Sequence, residues 1–279
     1  MSQWDDGISK PDDPQWKQAV QLLKDSQRVA VFTGAGISAE SGIATFRDEG
    51  GFWLRFPPDE FANWKGLMQV ALLHPARMAE FLVAILEPVA QAEPNPGHRA
   101  IAELERFRQV TVITQNIDRL HQDAGSRMVH EIHGTLFEVV SLVARRHVRS
   151  VSRSDLREIV EKLRHLESAK WTSLAVMEAV QPIFGAGQDG FHRPNLVLFG
   201  DAMAEPAWSL AQQAVKDCDV LITVGTSGTV YPAALLVDQA RAQGIATIVI
   251  DPETSGGDVW LRGNAADLLP KLVQELESP

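Results

Sequence analysis

Five short apolar runs set the strongest constraint on how this chain folds. They are RVAVFTG (28–34), VTVITQN (110–116), NLVLFGD (195–201), DVLITVG (219–225) and ATIVID (246–251). Each is rich in Val, Ile or Thr and ends in Gly, Asn or Asp, which is how strands buried on both faces of a parallel sheet read. Between them lie helical stretches, PQWKQAVQLLKDS, GHRAIAELERF, AWSLAQQAVKD and PAALLVDQARAQG, the last closed by Gly244 as a C-cap. Strand alternating with helix predicts an α/β fold with a Rossmann-like, doubly wound parallel sheet.

Two segments break the alternation. Residues 44–96 carry a Trp/Phe-rich stretch and two expected helices. Residues 139–193 carry the helical stretch SRSDLREIVEKLRHLESAK, the apolar WTSLAVMEAVQPIF, and GAGQDGFH (185–192), which reads as a flexible return loop. These insertions are expected to form a smaller second lobe, so residues 1–43, 97–138 and 194–279 make the large domain and 44–96 and 139–193 the small one. A chain of 279 residues is long enough for both.

A formal net charge of −10 supplies no basic field, so nucleic acid is not expected as a partner, whereas lysine-rich protein segments are compatible. Cys218 is the single cysteine, which excludes an internal disulfide and a four-cysteine zinc site; it reads as a buried structural thiol. The start, MSQWDDGISKPDD, lacks a basic n-region and an apolar h-region, and no run reaches membrane-spanning length. No membrane association and a cytoplasmic location are expected.

In an open parallel sheet, ligands bind at the carboxyl ends of the strands. Here those ends read Thr33-Gly34-Ala35-Gly36, Gln115-Asn116-Ile117-Asp118, Gly225-Thr226-Ser227 and Asp251-Pro252-Glu253. Backbone N–H groups after the first strand suit a pyrophosphate. Thr226 and Ser227 add hydroxyl donors, and Asp251 suits ribose hydroxyls, favouring NAD over NADP. The amides of Gln115 and Asn116 suit a carboxamide such as nicotinamide. Taken alone, TQNIDRLHQDAG also reads as a capping turn with Asp118 near a helix N-terminus. His133 is a candidate general base, but His98, His121, His130, His147 and His192 compete, and spacing does not choose among them. A nicotinamide dehydrogenase is disfavoured, because after Gly36 the chain enters a second loop, SGIATFRDEGGFW, instead of a long amphipathic helix.

Together the motifs GAGISAESGIATFR, TQNIDRLHQDAG, IHG, RPNLVLFGDAM, VGTSGTVYPAALL and IDPE, in this order, resemble the sirtuins, NAD-dependent protein-lysine deacylases. The resemblance selects His133, in the HG position, as the base, with Asn116 and Asp118 as its catalytic companions. It implies NAD contacts at Gly34, Ala35, Gly36, Ser38, Phe46, Arg47, Gln115, Asn116, Asp118, Gly225, Thr226, Ser227, Asp251, Pro252, Glu253 and Ala265. Phe46 would cover the reacting face as part of a cofactor lid, and Arg47 would anchor that loop or contact a phosphate. Val197, Phe199, Gly200 and Val230 would bind an acyl-lysine peptide. The products implied are nicotinamide, O-acyl-ADP-ribose and free lysine. NAD hydrolysis or mono-ADP-ribosyl transfer in the same pocket is the alternative, and a non-catalytic NAD-responsive module is disfavoured because Asn116, Asp118 and His133 are all present.

Several positions depart from the pattern. The two Cys-x-x-Cys pairs that usually hold a structural zinc are missing, so no metal is expected and packed side chains are expected in its place. Ala44 stands for the usual Pro, Asp201 for Glu in the FGE motif, and Asp251 for Asn. Leu82 and Ile85 stand where a desuccinylase carries Tyr and Arg, so acetyl or longer apolar acyl groups are expected over dicarboxylic ones.

Overall fold

The computed structural model describes residues 8–45, 52–144, 146–166 and 172–277. Its larger sheet has six parallel strands in the order β10-β9-β8-β1-β2-β3. These are β1 (Arg28–Thr33), β2 (Gln109–Thr114), β3 (Val129–Glu131), β8 (Val220–Val224), β9 (Ala246–Ile250) and β10 (Val259–Leu261). A second, antiparallel sheet runs β5-β4-β7-β6, with β4 (Gly134–Ser141), β5 (His147–Ser150), β6 (Gly185–Gly187) and β7 (Gly190–Leu196).

Period-two alternation sorts the large sheet's side chains into two layers. Val29, Val31, Val220, Ile222 and Val224 enter the core beneath α1 (Pro14–Asp25), α6 (Pro96–Leu104) and α12 (Ala265–Gln274), with Trp16, Ile101 and Leu268. Ala30, Phe32 and Leu221 face the opposite layer, beneath α10 (Ala207–Asp217) and α11 (Leu235–Ala242), with Val215 and Leu236. Both faces are covered, which is why these runs carry no polar alternation. Gly244 takes φ 69° just beyond α11, as expected of a C-cap glycine.

The second lobe packs its sheet against α2 (Phe52–Arg55), α3 (Pro58–Phe61), α4 (Trp64–Leu73), α5 (Pro75–Gln91), α8 (Arg153–His165) and α9 (Ser173–Ala179). The remaining helix, α7 (Leu120–Asp123), follows the second strand of the large sheet. A capping box opens α8: Asp155 N–H donates to Ser152 Oγ at 3.2 Å and Ser152 N–H to Asp155 Oδ2 at 2.7 Å. Its Leu156, Ile159, Val160 and Leu163 form one buried stripe in the small-lobe core.

Four expectations are corrected. NLVLFGD is not a strand of the large sheet: its first residues end β7 and residues 197–201 form a loop. Residues 195–198 are only half-buried, unlike strands covered on both faces. GAGQDGFH is not a loose loop but a hairpin, pairing Gly187 with Gly190 across Gln188-Asp189, with Gly190 at φ 92°. Four helices, not two, lie among the described residues of the first insertion. The edge strands β3 and β10 are only three residues each, too short to show as runs. Among the described residues, no helix is long and apolar enough to cross a membrane.

Candidate active site

The crevice begins where β1 meets β8. Gly34 N–H donates to Val224 O at 3.0 Å, Gly36 N–H to Gly225 O at 2.9 Å, and Gly225 N–H to Ile250 O at 3.1 Å. Three neighbouring strand ends are thus laced by their own backbones. This is why glycines stand here: a Cβ on Gly34 would lie 2.7 Å from Gly225 O, and one on Gly36 2.6 Å from Gly225 Cα. Gly225, at φ 56°, meets the Ile37 backbone in the same way. Residues Ala35–Ser41 then form a 3₁₀ segment closed by Gly42 at φ 85°.

The end of β2 delivers the polar groups. Asn116 Nδ2 donates to Gly34 O at 3.0 Å and to Ser38 Oγ at 3.1 Å, and Ser38 Oγ donates to Asp118 Oδ2 at 2.7 Å. Leu120 N–H donates to Asp118 Oδ1 at 2.9 Å, a local turn just before α7, whose N-cap position is Arg119, so Asp118 serves this turn and the network together. Asp118 is 4% exposed. Burial pushes its carboxyl above the usual range, opposed by these hydrogen bonds and by the charge of Arg153. Gln115 Nε2 donates to Thr226 Oγ1 at 2.9 Å, linking the second and fourth strand ends.

His133 lies between β3 and β4, at the junction of the two sheets. Its Nδ1 is 3.1 Å from Gln115 O. A carbonyl only accepts, so Nδ1 carries the proton and Nε2 keeps its lone pair in the neutral ring. Burial holds the imidazole below its ordinary pKa, so the neutral form prevails at neutral pH, only partly offset by that hydrogen bond. The backbone of His133 also reaches the candidate peptide segment, its carbonyl accepting from Val197 N–H at 2.9 Å. Phe199, 59% exposed, and Gly200, at φ 93° with open space around it, continue that segment. Val230 begins the turn into α11, its carbonyl accepting from Ala234 N–H at 2.9 Å.

The donors converging here suit a dinucleotide: glycine turns for phosphates, hydroxyls at Thr226 and Ser227, and amide and carboxylate groups at the rim. Residues 34–232 match the model of the Sir2 family. The chain belongs to the Sir2 family. It is 40% identical over 256 residues to a Mycobacterium tuberculosis NAD-dependent protein deacylase, covering 89% of this chain and 98% of that one. A solved complex of a Sir2 homologue with NAD aligns with a TM-score of 0.74 at 30% identity, covering 94% of this chain and 93% of the other. Sir2Af2 bound to a myristoylated histone peptide aligns with a TM-score of 0.67 at 32% identity, covering 94% and 96%.

Not every residue expected of a sirtuin site enters the network. Phe46 and Arg47 lie outside the described residues. Asp251 Oδ1 closes its own turn, accepting from Glu253 N–H at 2.9 Å and Thr254 N–H at 2.6 Å. Pro252 O accepts from Arg262 Nε at 3.2 Å. Ala265 is buried at the start of α12, with its backbone against Gly97.

Three residues hold this sirtuin crevice together in ways the sequence does not reveal: its motifs single out neither Asn95 nor Arg153, and offer His121 only as a rival base. Buried Asn95 donates to Ile37 O at 2.7 Å and Ser41 Oγ at 3.1 Å while its Oδ1 caps α6. The cap signature Asn-Pro, with Pro at N1, could have flagged it. His121 Nε2 is 3.0 Å from Thr33 Oγ1, beneath the crevice, and its ring stands edge-on to His98 at 4.9 Å. Arg153, opening α8, donates to Asp118 O at 2.9 Å, to Val89 O, and to Asp123 Oδ2 at 2.6 Å. No pattern in the sequence couples that arginine to the Asp118 loop.

Proposed function

We propose that this protein is a sirtuin-type, NAD-dependent protein-lysine deacylase that removes acetyl or longer apolar acyl groups, yielding nicotinamide, O-acyl-ADP-ribose and free lysine. The observation that carries the reading is His133, a neutral imidazole with Nε2 free to accept a proton, beside the Ser38–Asn116–Asp118 network. NAD supplies a ribose carbon activated by loss of nicotinamide and a hydroxyl that receives the acyl group. Gly34, Ala35, Gly36, Gly225, Thr226 and Ser227 hold the phosphates and ribose. Asn116 and Asp118 orient the nicotinamide end, and His133 takes the proton from the ribose hydroxyl. Phe46 and Arg47 serve as the lid that excludes water. Val197, Phe199, Gly200 and Val230 receive the acyl-lysine peptide, paired as an added strand.

The domain division belongs to the same reading. It is supported by separate hydrophobic cores, with one adjustment: β4 straddles the boundary at 138/139, and because its Leu136, Phe137 and Val139 all pack in the small-lobe core, the strand is counted with the small lobe. Cytoplasmic residence accords with a lone buried cysteine.

Mass spectrometry of products from NAD plus an acetyl-lysine peptide tests the assignment. O-acetyl-ADP-ribose is expected. Free ADP-ribose formed equally without peptide would mean NAD hydrolysis and overturn it. Comparing acetyl-, succinyl- and myristoyl-lysine peptides tests the acyl class. Leu82 is buried in the small-lobe core, and Ile85 packs against it. Faster turnover of succinyl-lysine would refute the apolar preference.

A further inference from the structure

The segment 197–201 is shaped before any peptide arrives. Val197 N–H donates to His133 O at 2.9 Å, Phe199 N–H to Ala62 O at 2.8 Å, and Asp201 N–H to Leu198 O at 2.9 Å. Leu198 N–H donates to Asp201 Oδ2 at 3.2 Å. The same Oδ2 accepts from Trp64 Nε1 at 2.7 Å. The Asp201 carboxylate thus joins its own loop to the first residue of α4.

Trp64 is itself held on several sides. The Arg193 guanidinium lies 4.2 Å from its ring centroid, and Arg193 Nη2 is 3.7 Å from Asp201 Oδ2. Arg193 Nη1 donates to Leu196 O at 2.7 Å, immediately before the loop. Phe184 stands edge-on to Trp64 at 6.5 Å. Asn63 caps α4 by accepting from Gly66 N–H at 2.8 Å, and a Cβ on Gly66 would run into the Glu60 backbone, which fixes the helix start on α3. Asp201 stands where sirtuins usually carry Glu, and its shorter side chain reaches both the Leu198 N–H and the indole.

Resting on the deacylase reading, we infer that Trp64 is a positioning residue for the acyl-lysine peptide, acting through Asp201 to preset residues 197–201. Trp64 touches neither the glycine turns nor the Ser38–Asn116–Asp118 network, so its effect falls on the peptide and not on the dinucleotide. A loop fixed in advance binds its strand without a further ordering cost.

The test uses the full chain with Trp64→Phe, which keeps the ring and removes the N–H, with Asp201→Ala, and with both together. Peptide KM and kcat are measured at saturating NAD, and ADP-ribose affinity is measured by calorimetry. Loss of one hydrogen bond to a carboxylate predicts a peptide KM raised about tenfold in Trp64→Phe. ADP-ribose affinity and kcat should stay within about twofold, and the double variant should be no worse than Asp201→Ala alone. Retained ADP-ribose binding shows that each variant is folded; should Trp64→Phe not fold, Asp201→Ala alone carries the peptide-KM test. An unchanged peptide KM in that fold, or additive effects in the double variant, would overturn the assignment. Absence of peptide-dependent nicotinamide release in the wild type would instead sink the deacylase reading itself.

Discussion

The crevice and the small lobe are built on different physics. In the crevice the chain is specified atom by atom. Gly34, Gly36 and Gly225 approach one another's backbones so closely that a single methyl group has no room, and Asn116, Ser38 and Asp118 complete one another's hydrogen bonds out of water. In the small lobe the specification is by pattern and volume. Leu156, Ile159, Val160 and Leu163 of α8 enter the small-lobe core beside α5 and α9 as a stripe, which other apolar residues of similar size can satisfy. One region therefore tolerates almost no change in residue type, whereas the other keeps its role while its means of support change.

Removing the base should separate the two regions most sharply. His133→Ala is expected to lower kcat by about 10²–10⁴-fold, the usual worth of a positioned general base. Its urea midpoint should stay near that of the wild type, because the half-buried ring makes its described hydrogen bond to one backbone carbonyl. Unchanged peptide turnover would remove His133 from the mechanism.

Leu163→Ala makes the reverse cut. Leu163 is 0% exposed in the small-lobe core. The cavity should cost about 2–5 kcal/mol of stability. Read well below the melting temperature, kcat and KM for NAD should be close to wild type. A large loss of kcat without loss of stability would mean that the lobe is not the interchangeable scaffold its packing implies.

How much of this was legible in the sequence follows the same divide. The strands β1, β2, β8 and β9 stood out because a strand buried on both faces must be apolar throughout, and their ends are the crevice. NLVLFGD misled because a half-buried strand end and loop can be as apolar as a strand in a two-sided core, and only its burial tells them apart. Gly36 and Asp118 could be found because backbone approach and buried acceptor pairing restrict residue type severely. Arg153 and Trp64 could not, because each acts through tertiary contacts with loops far off in the chain, at Asp118 O and Asp201 Oδ2. Asn95 lies between: its helix-capping half is local and readable, its grip on Ile37 O is not.

The buried histidines under the crevice give a smaller, pH-dependent effect. Burial lowers His98 from 6.5 to about 4, and lowers His121 as well. The folded state binds these protons less well than the unfolded chain, so their stability is fully present above about pH 6.5 and drains away toward pH 4. For His98 the shift corresponds to about 3 kcal/mol. Glu131 works the other way: burial raises it from 4.5 to about 7, so it costs stability as pH rises through that range. Comparing wild type with His98→Gln in urea titrations from pH 7 to pH 4 isolates the histidine. The variant should show the flatter acid limb, and identical limbs would contradict a buried neutral His98.

The smallest expected effect sharpens the comparison furthest. Among the described residues, no three His, Cys, Asp or Glu side chains gather to hold a metal. The ends of the small-lobe hairpins are tied to one another by polar contacts. Ser141 Oγ donates to Asp189 O at 2.7 Å, His192 Nε2 is 2.7 Å from Asp189 Oδ1, and Arg146 is 3.3 Å from Asp189 Oδ2. The α8 stripe adds apolar burial to the same lobe. If this is what holds the lobe, prolonged chelation should leave both the thermal midpoint and deacylation unchanged, because no folding energy comes from a metal site. Asp189→Ala should lower the midpoint, since it removes the acceptor shared by His192 and Arg146. A midpoint that falls on chelation and recovers with added zinc would show that the lobe still depends on the metal, and would collapse the distinction between the two regions.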